Sequence, residues 1–193
     1  MRGRLRLLAA ALGALAAHAA AQPVRYSLDP THSFATFEVL HFGTSTIRGR
    51  YGPLQGEVTL DRDARRGRVQ VEIDTAAVST GLPVLDARLR QADLLAVQAH
   101  PKAWFVAEGI AFDAGGQPRS VRGEFTLRGT SRPLELVAQR FNCYTSPLIP
   151  REVCGGDFEG EVKRSDFGMD FGLPLVADRV RLVVQVEAVR QPD

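Results

Sequence analysis

The sequence predicts an all-β chain: a closed antiparallel barrel of about eight strands, with one short helix capping one end. Three observations carry that expectation. Past residue 23, apolar and polar residues alternate in short runs along nearly the whole chain. Turn signals such as Arg66-Gly67, Gly115-Gly116, Arg132-Pro133 and Gly155-Gly156 separate the runs. A single stretch, between Gly81 and Pro101, switches to helical spacing. An antiparallel sheet this long must either pack on a second sheet or close on itself. Closed with about eight strands, its interior is just wide enough for one slender ligand.

The clearest strand runs from Phe34 to Phe42. Ala35, Phe37, Val39 and His41 share one face, with Thr36, Glu38 and Leu40 on the other. Ile47 to Leu60 reads as a long strand pair interrupted at Gly49, Gly52-Pro53 and Gly56, where a barrel wall would bend. Val69, Val71 and Ile73 form a strand buried on one side. Further strands are expected at 103–112, 120–128, 134–144, 157–163 and 179–189. In the last, Val180, Leu182, Val184, Val186 and Ala188 point one way. Leu85, Leu89, Ala92 and Leu95 predict a helix of about three turns, with Asp86 placed as an N-cap or first-turn acid.

Residues 1–21 read as a cleaved secretory signal peptide. Arg2, Arg4 and Arg6 precede an apolar run from Leu5 to Ala17, and small residues lead to a cut after Ala21. The remainder, 22–193, is expected to be one domain with room for a sizeable core. The leader holds three of the 24 basic residues and none of the 22 acidic ones, so its removal takes the net charge from +2 to −1. That balance gives no electrostatic case for nucleic acid or an anionic membrane surface. The two cysteines, Cys143 and Cys154, favour a disulfide in an exported chain. Loop entropy assigns such a small ring roughly 3 kcal/mol. A redox-active pair is the alternative, though no Cys-x-x-Cys is present.

The motifs now support a resemblance. Tyr26-Ser-Leu-Asp-Pro-Thr-His-Ser33, then Phe37-Glu-Val-Leu-His41-Phe-Gly43 and Ile47-Arg-Gly-Arg-Tyr51, resemble the opening signature of the YceI-like family. Gly123-Glu-Phe-Thr-Leu-Arg-Gly-Thr-Ser-Arg-Pro133 is similar to that family's mid-chain hairpin, and Lys163-Arg-Ser-Asp-Phe-Gly-Met169 to its motif near the C-terminus. The resemblance spans almost the whole chain after the leader. It implies an exported lipocalin-like barrel that binds, carries or stores a long polyisoprenoid-type lipid, such as a prenyl quinone or prenyl phosphate, in an apolar tunnel. It implies no enzyme activity, no metal and no cofactor beyond that lipid. One departure stands out: many relatives carry Arg-Asp-x-His-Leu-Arg in the helix, whereas this chain has Leu85-Asp-Ala-Arg-Leu-Arg90.

The expected barrel lining is Ala35, Phe37, Val39, Phe105, Ala107, Phe125, Phe158, Phe167, Met169 and Phe171. Small residues on the same faces, Ala35, Ala107, Gly109, Gly123 and Gly160, are expected to leave space for the ligand. His41, Arg48 and Arg88 are the head-group candidates. His32 reads as a turn residue, and Arg164-Ser-Asp166 as turn chemistry with Arg164 pairing Asp166 or covering the barrel end. No His-x-His, helical Glu–His pair or Gly-x-Ser-x-Gly elbow supports a metal or triad site. Two other readings compete with the lipid carrier: an accessory module for a membrane redox partner of the cytochrome b561 type, and a lipid-modifying enzyme using His32 or His41. Outward-facing Trp104 and Val106 leave either a monomer or a homodimer open.

Overall fold

A computed structural model of the chain describes residues 23–192, so the expected leader, 1–21, lies outside the described residues. Ten strands follow in order: β1 (Val24–Leu28), β2 (Phe34–His41), β3 (Ser45–Tyr51), β4 (Gln55–Asp61), β5 (Arg66–Asp74), β6 (Lys102–Phe112), β7 (Pro118–Leu127), β8 (Thr130–Thr145), β9 (Glu152–Lys163) and β10 (Val176–Arg190). One helix, α1 (Pro83–Leu89), and two 3₁₀ turns, Thr75–Ala77 and Arg164–Phe167, complete the set.

Every neighbouring pair is antiparallel, and the sheet closes because β1 pairs with both β4 and β10. Strands β4 to β10 follow one another around the wall. Long β10 serves two partners on the same edge. Its C-terminal end faces β1 through Leu28↔Ala188, and its middle faces β2 through Ala35↔Val184. Strands β1 and β2 therefore act as one stave, broken by residues 29–33. Strands β3 and β4 form another, broken at Gly52-Pro53, so ten strands make eight staves. This is the expected closed barrel, and β1, five residues long, is an element the periodicity did not reveal.

The Asp29–Ser33 excursion is fixed by its own polar groups. Asp29 accepts from the Thr31 backbone N–H at 2.8 Å and lies 2.8 Å from His32 Nδ1, while Ser33 Oγ donates to Glu187 O. His32 is a turn residue outside the barrel, as its sequence context suggests. Three residues, 42–44, connect the paired ends His41 and Ser45; Phe42 and Gly43 take positive φ, and the Thr44 N–H closes the turn on His41 O at 3.0 Å.

The helix is shorter than expected. It starts at Pro83 and ends at Leu89, so Ala92 and Leu95 lie in consecutive turns beyond it. Asp86 sits in the first turn, and the N-cap position itself is Leu82. The segment from 75 to 101 fills the place beside β3 that β5 has left. Ser79 exchanges two backbone hydrogen bonds with Arg50, at 2.8 and 2.9 Å.

Cys143 and Cys154 are directly opposed on β8 and β9 and form the disulfide. They close the barrel end away from the helix, where Glu152 accepts from both Tyr26 and Arg62. Replacing both cysteines with Ser is expected to lower the unfolding free energy by about 2–3 kcal/mol, measured by urea titration against the oxidised protein. A loss below about 0.5 kcal/mol would mean that the unfolded chain already keeps residues 143 and 154 close without the bond.

Candidate ligand cavity

The barrel interior is hollow. Its larger space, about 330 Å³, lies on the helical side, and a second lobe of about 100 Å³ lies toward the disulfide. Val71, Phe105, Leu136, Val184 and Val186 line both. The interior is thus two lobes with a shared waist rather than a uniform tunnel. The larger one is roughly twice the size of an engineered apolar cavity that takes up benzene.

The strand period dictates the wall. Ala35, Phe37, Val39 and His41 of β2 all line the larger lobe, while Glu38 points outward to Arg48 (2.8 Å) and Arg181 (2.7 Å). On β3, Ile47 and Tyr51 face in. Gly49 between them has no side chain because the Phe37 ring lies over it, and a Cβ there would sit 2.3 Å from that ring. Leu182 and Val184 of β10 and Val71 and Ile73 of β5 complete the aliphatic wall, following the alternation read from the sequence.

Among the expected lining residues, Ala35, Phe37, Val39, Phe105, Phe125, Met169 and Phe171 are brought together at the larger lobe. Phe158 lines the smaller one. Two lie elsewhere. Phe167 stands behind Phe125, ring centroids 5.5 Å apart, and Ala107 is packed within the wall at 1% exposure. The small-residue expectation is corrected for most of its members. A Cβ on Gly123 would lie 2.6 Å from Ala107 Cβ, and one on Gly160 would lie 2.9 Å from Leu136 Cδ2. Those glycines serve close approach of strands and side chains, and of the five only Ala35 borders the open space.

The head-group candidates separate. His41 and Arg88 line the cavity at its helical end. Arg48 lies on the outer face, as its position next to inward Ile47 requires, and pairs with Glu38. Arg88 is itself engaged: it donates to both Asp93 carboxylate oxygens at 2.7 and 2.6 Å, and its guanidinium lies 4.2 Å from the Phe171 ring centroid. It therefore ties the turn after α1 to the β9–β10 loop, across the cavity end.

Arginines hold the irregular segments of this end together. Arg164, 6% exposed, donates to the carbonyls of Met169, Phe171, Val176 and Ala177. It does not pair with Asp166; Ser165 donates instead to Asp178 through its backbone N–H and its hydroxyl. Arg90 holds the carbonyls of Ala76 and Val78, and Arg128 those of Ala92 and Leu94. Loops with few ladder partners need such donors for their buried carbonyls, and the guanidinium fork supplies several from one side chain.

Asp86 anchors the start of α1. Its carboxylate accepts from the Thr80 hydroxyl at 2.7 Å and the Thr80 backbone N–H at 2.6 Å, and these bonds, the hydroxyl's first, hold its pKa below the ordinary aspartate value. A depressed folded pKa contributes stability above the unfolded value of about 3.9 and loses it as pH falls through the folded value. Asp86→Asn, which keeps an acceptor but cannot titrate, is expected to flatten the acid limb of a stability–pH curve below about pH 4, followed by circular dichroism.

Fold and site together define a closed antiparallel barrel with an apolar interior cavity beside a loop-and-helix cap. The family is shown by comparison: the YceI-like domain matches residues 26–188, and the chain belongs to the YceI-like family. A UPF0312 protein of Pectobacterium carotovorum subsp. carotovorum is 30% identical over 188 residues, covering 97% of this chain and 96% of that protein. Protein YceI of Escherichia coli O157:H7 is 29% identical, with 97% of each covered. Among solved structures, Burkholderia cenocepacia BcnA shares the fold with a TM-score of 0.65 at 20% identity, covering 83% of this chain and 98% of that one. A polyisoprenoid-binding domain from Saccharophagus degradans does so with a TM-score of 0.64 at 19% identity, covering 86% and 98%.

Several cavity residues lie beyond the lining expected from sequence, notably Tyr51, Leu54, Ala103 and Leu134. Tyr51 was legible as the next inward position after Ile47 and Gly49. Ala103, two before Phe105 on β6, and Leu134, two before Leu136 on β8, follow the same period, whereas Leu54 lies between β3 and β4 where no period applies.

Proposed function

We propose that this protein binds and carries a long-chain isoprenoid-type amphiphile, a prenyl quinone or prenyl phosphate, with its chain inside the barrel. The observation that carries the reading is the 330 Å³ cavity inside the barrel, walled by aliphatic and aromatic side chains. A related fold described as polyisoprenoid-binding supports it. Each buried methylene contributes roughly 0.8 kcal/mol, so a prenyl tail supplies ample affinity with few polar contacts. The polar groups at the cavity, His41, Tyr51, Thr75, Arg88 and Arg164, are few and scattered, an arrangement suited to holding a ligand rather than transforming it.

The helical end is the natural entrance. Phe171, which lines the cavity, is 58% exposed, and Phe42 and Leu175 join across a backbone hydrogen bond with both side chains in solvent. The leader pattern in residues 1–21 and the disulfide support a periplasmic setting, where a soluble carrier would meet membrane lipids. Protein purified from its native host is expected to release an isoprenoid lipid on denaturation, identified by mass spectrometry. Protein that arrives empty and takes up no prenyl lipid from detergent or vesicles would end this reading.

A further inference from the structure

Among the described residues, two polar side chains of the cavity wall, His41 and Tyr51, have no side-chain hydrogen-bond partner in the protein, and they stand at opposite ends of the β2–β3 pair. Thr75 donates to His100 O, Arg88 is held by Asp93, Arg164 is spent on carbonyls, and His41 borders the solvent-facing end with its ring against Phe42. The Tyr51 ring packs at a tilt against Phe37, centroids 5.7 Å apart, yet among the described residues no hydrogen-bond partner reaches its hydroxyl. Burial pushes its pKa up, so the O–H stays protonated and remains a donor. Tyr51 lines the cavity and pairs with Ala35, at the far end of β2 from His41. Tyr51 is half-buried, and a hydroxyl facing an apolar wall gains no hydrogen bond from it, so a ligand oxygen there would find a free donor.

Resting on the carrier reading, we propose that Tyr51 is the polar recognition point of the cavity and that its partner is an uncharged oxygen of the ligand, a carbonyl or hydroxyl. An anionic phosphate fits this place poorly. Neither its strand partner Ala35 nor the Phe37 ring against it offers a cation, and burial there disfavours the charged form of a group. The two cavity arginines belong to the helical end, on α1 and on the turn after β9. The ligand class is thus narrowed to neutral oxygen-bearing amphiphiles, with the oxygen carried into the barrel rather than left at the entrance.

The test compares a short-chain prenyl quinone with an isoprenoid hydrocarbon of matched length, by competition against a fluorescent lipid probe. Wild type is expected to favour the quinone, and Tyr51→Phe to reduce that preference about ten-fold with hydrocarbon affinity kept or improved. Because the hydroxyl has no protein partner, Tyr51→Phe should melt no lower than wild type. An unchanged preference, as a resident water on the hydroxyl would produce, overturns the proposal, as does a clear fall in melting temperature. If neither probe binds wild type, the carrier reading fails instead, and the two failures are told apart.

Discussion

Replacing Arg164 with Ala is expected to destabilise the protein by about 3–5 kcal/mol, the largest single effect predicted for this fold. The side chain is 6% exposed and satisfies four backbone carbonyls, those of Met169, Phe171, Val176 and Ala177. A buried acceptor left without its donor costs about 1–3 kcal/mol, and water entering the vacated space recovers part of the sum. Burial lowers the pKa of the guanidinium, while Asp178 and Asp170 nearby act in the opposite direction. The residue nevertheless remains charged at any physiological pH. Lys is expected to rescue little, since a single ammonium cannot span carbonyls placed around a planar fork. Urea denaturation measures the loss. A cost below about 1 kcal/mol for Arg164→Ala would mean the β9–β10 loop is held by its apolar contacts. The same variant should weaken lipid binding even where it stays folded, because Met169 and Phe171 are carried on that loop and line the cavity.

Much of this architecture is legible in the sequence because strand period is a local property. The inward set Ala35, Phe37, Val39 and His41 and the face from Val180 to Val186 follow from alternation alone, and both line the interior. The same rule places Arg48 outside, beside inward Ile47, so its assignment as a head-group candidate conflicted with the period that identified its own strand. The helix shows the limit of spacing arguments. Leu95 is buried at 5% exposure, as its helical spacing from Leu85 suggests, yet α1 has already ended at Leu89. The chain continues in turns, in which Leu95 N–H bonds Leu89 O and Ala96 takes a positive φ. Spacing reports which side chains are buried. The backbone is held by Arg128 taking the carbonyls of Ala92 and Leu94, contacts 36 and 34 residues away in sequence.

Cavity location is less legible still, for a physical reason. Alternation says which residues face inward but not which levels of the barrel are filled. Gly123 and Gly160 face places already occupied by Ala107, Leu134 and Leu136, so their missing side chains leave no room for a ligand. The open volume lies where β3 parts from β5 and the 75–101 segment takes its place, a consequence of how the staves break. Tyr51 sits at the end of β3, at that break.

Filling that volume is expected to abolish ligand uptake. In Ala35→Trp an indole would project from the β2 wall into the 330 Å³ lobe, level with Val184, which borders both lobes. Affinity for any prenyl probe, quinone or hydrocarbon, should fall at least a hundred-fold, about 2.8 kcal/mol at 1.4 kcal/mol per decade. Aromatic burial should hold or raise the melting temperature, because the new ring enters space rather than displacing packed atoms. Val106→Trp on the outer face, where the native side chain is 38% exposed, is the matched control and should bind as wild type does. The contrast with Tyr51→Phe is the informative part: one variant removes the volume and loses every ligand, while the other keeps the volume and loses only the choice between them. Ala35→Trp that still binds prenyl probes at wild-type affinity would place the ligand outside the barrel, and the outward-facing Trp104 and Val106 of β6 would then be the first surface to test.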